Sequence, residues 1–548
     1  MTAGRSEIDT PTLGAAGLPI CRATRACHIA AEALALLALV PLAAAIVGSL
    51  RTAGPESGYV YWWGTARGWE SLGRTMAVAG PAGAMAVALA WLLVESAVRL
   101  TPRRAALFVL AACLPLLVPS SLLATAWIVA LGKQGVITTA WLRGAGGAFA
   151  PDLYSVPGAA AVTALRYFGI AAVVLLYARL RREREWPAAR VFALPRLAAA
   201  WRLHLRPAAR PALAAWLLVT LFSMNDHIIP GMLLVSTYGT QVLIQYSALL
   251  DPAGAAALAA PPAAVGAAMM AVAVLAGRDL WSAPAGAPAP ADRPRGFGRR
   301  ALAALTAATV LALALAVPVA VLAARTESWV AVATALAGAR DQAWQTLYVA
   351  CAGAALAAAA AAILAHQWTA CRRAGVRSAV PLVLVNLTVP PSLLGIGMIE
   401  LFQDAPPAVR DSSAPLVLGY AARFLPVVVL LLYSFWRHES ADARLAARVH
   451  GVPAWRSAWS IVWPPRRAAV AGAALLAAVL MATDLETSIL LAPPGGSTLG
   501  VRLYTLIHTA PDAMVSALAV GILVAAAPAV LLLAVIAMLG RAGKAGRT

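Results

Sequence analysis

Apolar residues follow one another in long blocks along this chain, with no alternation of the kind that marks half-buried strands. Twelve blocks stand out, over Ile29–Leu50, Thr75–Val98, Leu107–Leu131, Gly158–Leu180, Pro211–Val235, Gly254–Ala276, Ala301–Ala323, Ala343–Ala365, Ala379–Leu401, Pro415–Phe435, Ala468–Leu491 and Ala513–Leu539. A helix needs about 20 residues to cross a hydrocarbon core of ~30 Å, and most of the blocks meet that length. Short Arg-rich or Pro/Gly-rich gaps separate them. The pattern predicts an all-α polytopic membrane protein with about twelve transmembrane helices.

Composition sharpens this reading. Of 548 residues, 61% are hydrophobic and 12% charged, against about 25% charged in soluble domains. Too few charged groups are present to cover a water-facing surface of this size, and disordered chains are more polar still. The formal charge of +20, from 43 Lys and Arg against 23 Asp and Glu, does not point to nucleic acid, because the cations sit in the gaps. With the N-terminus placed in the cytoplasm, the inner gaps and adjoining block ends hold 32 Lys and Arg and the outer gaps hold 9. That asymmetry follows the positive-inside rule and puts both termini inside. Residues 1–28 are polar and lack a cleavable leader of the usual form, so the first apolar block doubles as an insertion signal. Cys21, Cys27, Cys113, Cys351 and Cys371 form no metal-type spacing and are read as unpaired.

The chain also repeats itself. Thr75 matches Thr346, and Pro119-Ser120-Ser121-Leu122-Leu123 matches Pro390-Pro391-Ser392-Leu393-Leu394, at an offset of 271. Farther on, Ala188-Ala189-Arg190-Val191 pairs with Ala446-Ala447-Arg448-Val449, Asp226 with Asp484 and Tyr246 with Tyr504, at an offset of 258 with no gap. This divides the chain into a cytoplasmic segment 1–28, a six-helix repeat 29–277, a Pro-rich linker 278–300, a second six-helix repeat 301–539 and a tail 540–548. Parallel repeats of this kind place a substrate path between them.

The most informative gap is the one before the eleventh block. It reads Leu445-Ala446-Ala447-Arg448-Val449-His450-Gly451, and nine residues later Ile461-Val462-Trp463-Pro464. A short helix, a Gly break and a second helix ending at Pro make a compact elbow. This stretch resembles the EAA loop of binding-protein-dependent ABC importers, with Ala446, Ala447, Gly451, Ile461 and Pro464 on the matching positions. Leu445 stands for the acidic residue and Trp463 for the leucine. The first repeat carries a degenerate copy in which Ala188, Ala189, Leu203 and Leu205 fit, Ala193 replaces the glycine, and Pro207 comes one place late. Thr483-Asp484-Leu485-Glu486-Thr487, the Leu491–Leu499 segment and Arg502-Leu503-Tyr504 are similar to fused ferric-iron-type permeases, whose thiamine, sulfate, polyamine and phosphonate relatives share much of it.

The resemblance implies a type I ABC importer permease fold in a bacterial inner membrane. It further implies two cytoplasmic ABC ATPase subunits docked on the elbows, and an extracytoplasmic solute-binding protein as the other partner besides the lipid bilayer. ATP is expected on the ATPase partner and no cofactor on this chain, since Lys133 and Lys544 are followed by Gln134 and Ala545 instead of a Ser or Thr closing a phosphate loop. The chain itself is therefore not expected to be an enzyme. His28, His204, His227, His366, His438, His450 and His508 are scattered with no catalytic or metal spacing. A twelve-helix secondary transporter driven by an ion gradient is the second reading.

Charged groups inside a bilayer cost about 2.5–3.5 kcal/mol each on insertion scales, so intramembrane carboxylates are candidates for function. Asn225, Asp226, Asp484 and Glu486 fall late in the fifth and eleventh blocks. Either they flank the translocation path, where they attract or gate a cation, or they are helix-end carboxylates that are solvated or paired with a nearby cation. Tyr59, Tyr61, Trp62, Trp63 and Trp69 read as an interfacial aromatic belt.

Overall fold

The computed structural model describes residues 39–50, 66–100, 102–144, 152–182, 206–276, 297–370, 383–436, 446–447 and 449–545. Every regular element among them is helical, and nine helices are long and apolar enough to cross a bilayer. That is the make-up of a polytopic helical membrane protein. The first-repeat elbow residues Ala188, Ala189, Ala193, Leu203 and Leu205 lie outside the described residues, as does the whole segment 1–28.

Two helix trios organise the packing. Ala66–Val98, Val156–Arg182 and Arg206–Asn225 pack against one another, and so do Arg340–Ala370, Ala414–Trp436 and Trp463–Ala482. Lipid tails are as apolar as leucine, so close van der Waals fit has to hold such helices together, and small residues allow it. Ala82, Ala86 and Ala90 line one face of the first helix at the i, i+4 spacing, and Ala350, Ala354, Ala357, Ala361 and Ala365 do so on its counterpart. Leu93, Leu122 and Phe168 fill the first core, and Leu364, Leu393 and Tyr420 the second, each almost fully buried. The leading helices cross over: Phe297–Leu311 packs on Ala66–Val98, while Ala45 of the 39–50 helix joins the second core. Gly397 permits that crossing, since a Cβ there would collide with the carbonyl oxygen of Pro41.

Several apolar blocks read as single helices are divided. The third is split into Pro102–Ala112, the short 3₁₀ turn Leu114–Leu117 and Ser120–Leu131. Proline lacks an N–H and forces its predecessor out of the helical region, and Val118 accordingly lies extended (φ −95°, ψ 133°) before Pro119. Pro390 adopts nearly the same conformation (φ −56°, ψ 137°) as Pro119 (φ −52°, ψ 139°), and each begins a 12-residue helix. The fifth block ends its first helix at Asn225 and resumes at Ile228–Met232; the eleventh ends at Ala482 and resumes at Glu486–Leu491.

Two expectations change. The elbow's second helix does not end at Pro464: the helix Ala454–Ser457 runs through a π turn, Ala458–Val462, into Trp463–Ala482. Pro464 lies inside this continuous run, directly after the π turn, whose wider hydrogen-bond spacing accommodates a residue with no N–H to donate. The ungapped pairing of Tyr246 with Tyr504 also fails. The helices Tyr238–Ser247 and Leu499–Thr509 both start after a threonine, Thr237 and Thr498, so their starts stand 261 residues apart, not 258. The three extra residues fall in the Pro/Gly-rich loop after Leu491, where Gly495 (φ +73°) takes the left-handed turn that Leu234 (φ +60°) takes in the earlier loop.

Each of these helix starts is tied to a distant threonine. The Thr75 hydroxyl donates to the Ser71 carbonyl (2.8 Å) and accepts the Tyr238 N–H (2.8 Å). The Thr346 hydroxyl donates to Gln342 (2.7 Å) and accepts the Leu499 N–H (2.8 Å). A first-turn amide has no partner within its own helix, so each hydroxyl satisfies a buried group that would otherwise be orphaned. Thr75→Val and Thr346→Val keep the shape and remove the acceptor, and each is expected to cost about 1–2 kcal/mol. Thermal unfolding in detergent checks this, with the serine variants recovering most of the loss.

Candidate functional site

The two helix breaks following Asn225 and Ala482 face each other in the interior. At the first, Asp226 lies just beyond the last helical residue, and its Oδ1 accepts the N–H groups of Ile228 (3.1 Å) and Ile229 (3.3 Å). The carboxylate thus caps the next helix from within an apolar run, which is how a short acidic side chain competes with the helix ladder. Its Oδ2 accepts from Ser120 Oγ and Tyr167 OH, both at 3.0 Å, and lies 3.6 Å from Arg166 Nε. Arg166 also donates through Nη1 to the carbonyl of Val118, at the extended residue created by Pro119.

The second break repeats the chemistry with different residues. Asp484 Oδ2 accepts the N–H of Thr487 (3.3 Å), and Oδ1 accepts from Arg423 Nη1 at 2.7 Å. Arg423 reaches further: Nη1 donates to Thr487 Oγ1 (2.8 Å) and Nη2 to Glu486 Oε2 (2.8 Å). The Asp484 carbonyl accepts from Ser488 Oγ (2.7 Å) and from Tyr420 OH (3.2 Å). Planar, forked and always charged, a guanidinium can serve two carboxylates at once where an ammonium would serve one.

His227 joins the breaks. Its Nδ1 lies 3.4 Å from Glu486 Oε1, and both side chains are less than a tenth exposed. Asn225 ends the preceding helix and donates through Nδ2 to the Leu387 carbonyl (3.5 Å), placing it beside the residues that lead into Pro390.

Asp226, Asp484 and Glu486 therefore come together in one buried network, and each aspartate has its own arginine. No protein-family model, no curated protein and no solved structure matches the chain. Arg166 and Arg423 are the partners of these carboxylates, and neither was among the candidates offered by the sequence. The available signal was that an arginine within a long apolar helix needs a buried acid.

Of the elbow residues, Ala446 and Ala447 lie in a short helical turn in which His450 N–H donates to the Ala446 carbonyl (2.9 Å) and Val452 N–H to that of Ala447 (2.9 Å). Gly451 carries the left-handed turn (φ +65°) that closes it, a conformation costly for other residues. Ile461 is half-buried and Pro464 exposed, while Pro207 is the second residue of Arg206–Asn225. The elbow residues form a separate site from the charge network, joined to it by the Trp463–Ala482 helix. Among the described residues no group of three His, Cys, Asp or Glu side chains is placed to hold a metal ion.

Proposed function

We propose that the chain is the membrane-spanning permease subunit of an ATP-driven importer. It is built as two six-helix halves with both termini cytoplasmic, and it moves a solute inward by alternating access. The observation that supports this most is the mechanical continuity of the second elbow. From the Gly451 turn, the chain runs as unbroken helix from Ala454 to Ala482, ending beside Asp484. A push on the elbow is delivered across about 30 Å of the 20-residue helix Trp463–Ala482, at 1.5 Å per residue, to the buried charge network. The base of this lever is clamped: Arg466 is buried, its Nη1 meets His366 Nδ1 at 2.8 Å, and its guanidinium lies 4.4 Å from the centre of the Trp436 ring.

The elbow offers a partner an apolar face. Val449 is 84% and Trp459 67% exposed, and the Trp459 and Trp463 rings meet edge to face at 6.0 Å. Aromatic side chains of this kind anchor protein interfaces. In this reading two ATPase subunits bind the elbows and ATP binds to them, and a solute-binding protein delivers the cargo on the opposite side. Ferric iron is the first cargo to test, followed by thiamine, sulfate, polyamines and phosphonates.

The test is reconstitution in liposomes with the candidate ATPase and binding protein. Cargo uptake is expected to require ATP, and Trp459→Ala with Trp463→Ala is expected to lower ATPase association at least tenfold with the unfolding temperature unchanged. Uptake by the purified chain on an ion gradient alone, with no nucleotide-hydrolysing companion, would establish a secondary transporter instead.

A further inference from the structure

The charge count at the two breaks does not close. Three carboxylates, Asp226, Asp484 and Glu486, stand against two guanidinium groups, Arg166 and Arg423, and all five residues belong to the network described above. The remaining neighbours are neutral donors, Tyr167 and Ser120 on Asp226 and Tyr420 and Ser488 on the Asp484 carbonyl. Glu400, on the Pro391–Phe402 helix that also packs on Glu486–Leu491, points elsewhere, with its carboxyl against Gly48. A buried carboxylate with no matching cation is driven to take up a positive charge.

Geometry says which carboxylate this is. Asp226 has Arg166, two hydroxyls and two backbone amides. Asp484 has the shortest contact to Arg423 and a backbone amide. Glu486 shares Arg423 with Asp484, and its other oxygen faces His227. The ring of His227 is 6% exposed, and its Nε2 has no hydrogen-bond partner. The two breaks share the aspartate and differ around it: Asp226 is followed by His227 and Ile228, Asp484 by Leu485 and Glu486. One break supplies the imidazole, the other the extra carboxyl, and the two meet across the interface.

We propose that the assembled network binds one proton, shared between Glu486 and His227, and releases it when the breaks part. Among the described residues no group of three His, Cys, Asp or Glu side chains is placed to hold a metal ion, which leaves a proton as the bound charge. Once separated and hydrated, a glutamate ionises near pH 4.3 and a histidine is neutral above about 6.5, so at neutral pH the separated groups hold no proton between them. The assembled arrangement then carries one more proton than the parted one. Linkage gives the sign: acid favours the assembled form, and each unit of rising pH shifts the balance towards parting by up to tenfold. This holds whether ATP or an ion gradient drives transport, so it stands or falls apart from the proposed function.

Infrared spectroscopy of the full-length protein in nanodiscs near neutral pH tests it. The native protein is expected to show a buried carboxylic-acid carbonyl band that Glu486→Gln removes. His227→Gln is expected to keep the band at a shifted frequency, because the acid's partner has changed. The native unfolding temperature is expected to fall as pH rises through neutrality, with the slope flattened in Glu486→Gln and unaffected by sodium at fixed pH. A band that survives Glu486→Gln, or one unmoved by His227→Gln, overturns the proposal. So does a sodium-dependent midpoint, which would identify a metal cation in place of the proton.

Discussion

Replacing Arg423 by methionine is expected to destabilise the protein by about 3–5 kcal/mol, the cost of leaving a buried charge without its partner. Asp484 loses its counter-ion and Glu486 its guanidinium donor at once, since Arg423 bonds both Asp484 (2.7 Å) and Glu486 (2.8 Å). Methionine has similar length and no charge, so lost packing contributes little and the deficit is electrostatic. Arg423→Lys is expected to recover only part, because one ammonium cannot hold the two carboxylates and Thr487 Oγ1 in the same fork. Adding Glu486→Gln to Arg423→Met replaces the second acidic group by an amide that needs no counter-ion and is expected to recover a further part. Unfolding midpoints in detergent, read as a double-mutant cycle, give the coupling directly. A methionine variant as stable as the native protein would mean the carboxylates are hydrated, and the network would lose its standing as a buried site.

Much of this arrangement was legible before the structure. Asp226 and Asp484 announced themselves as carboxylates in apolar runs, while the proline-serine-leucine segments were legible as a repeat but not as the starts of two new helices. What stayed hidden was set by tertiary contact. Arg423 and Asp484 lie 61 residues apart, and no local periodicity links them. The helix breaks were hidden for a related reason. A run from Pro211 to Val235 is apolar enough to read as one helix, and only the capping of Ile228 and Ile229 by the Asp226 side chain explains its division. Pro464 was misjudged because a proline can be carried within a helix when a π turn stands before it, and no local pattern announces that turn. Tyr246 and Tyr504 were paired on side-chain identity, whereas the helices that hold them start 261 residues apart, after Thr237 and Thr498.

Asp226→Asn separates charge from hydrogen bonding at the other break. The amide oxygen can keep the Ile228 and Ile229 N–H groups, and the Ser120 and Tyr167 hydroxyls can turn to accept from the new NH₂. Every hydrogen bond to the side chain has a substitute, yet Arg166 is left buried with no carboxylate against it. The expected loss is again about 3–5 kcal/mol, now arising almost wholly from one stranded cation. The decisive comparison is Asp226→Asn with Arg166→Met. A buried ion pair exchanged for neutral groups of similar volume is often close to neutral in stability, so the double variant is expected to lie within about 1–2 kcal/mol of the native protein although each single variant is far below it. The same double variant divides structure from function: if it folds and still moves its cargo, the Asp226–Arg166 pair is a fastening of the first break. If it folds and fails, the charges themselves take part in the movement. An additive double variant would show that the Asp226 and Arg166 charges do not act on each other, leaving Asp226 its helix cap and its two hydroxyl partners.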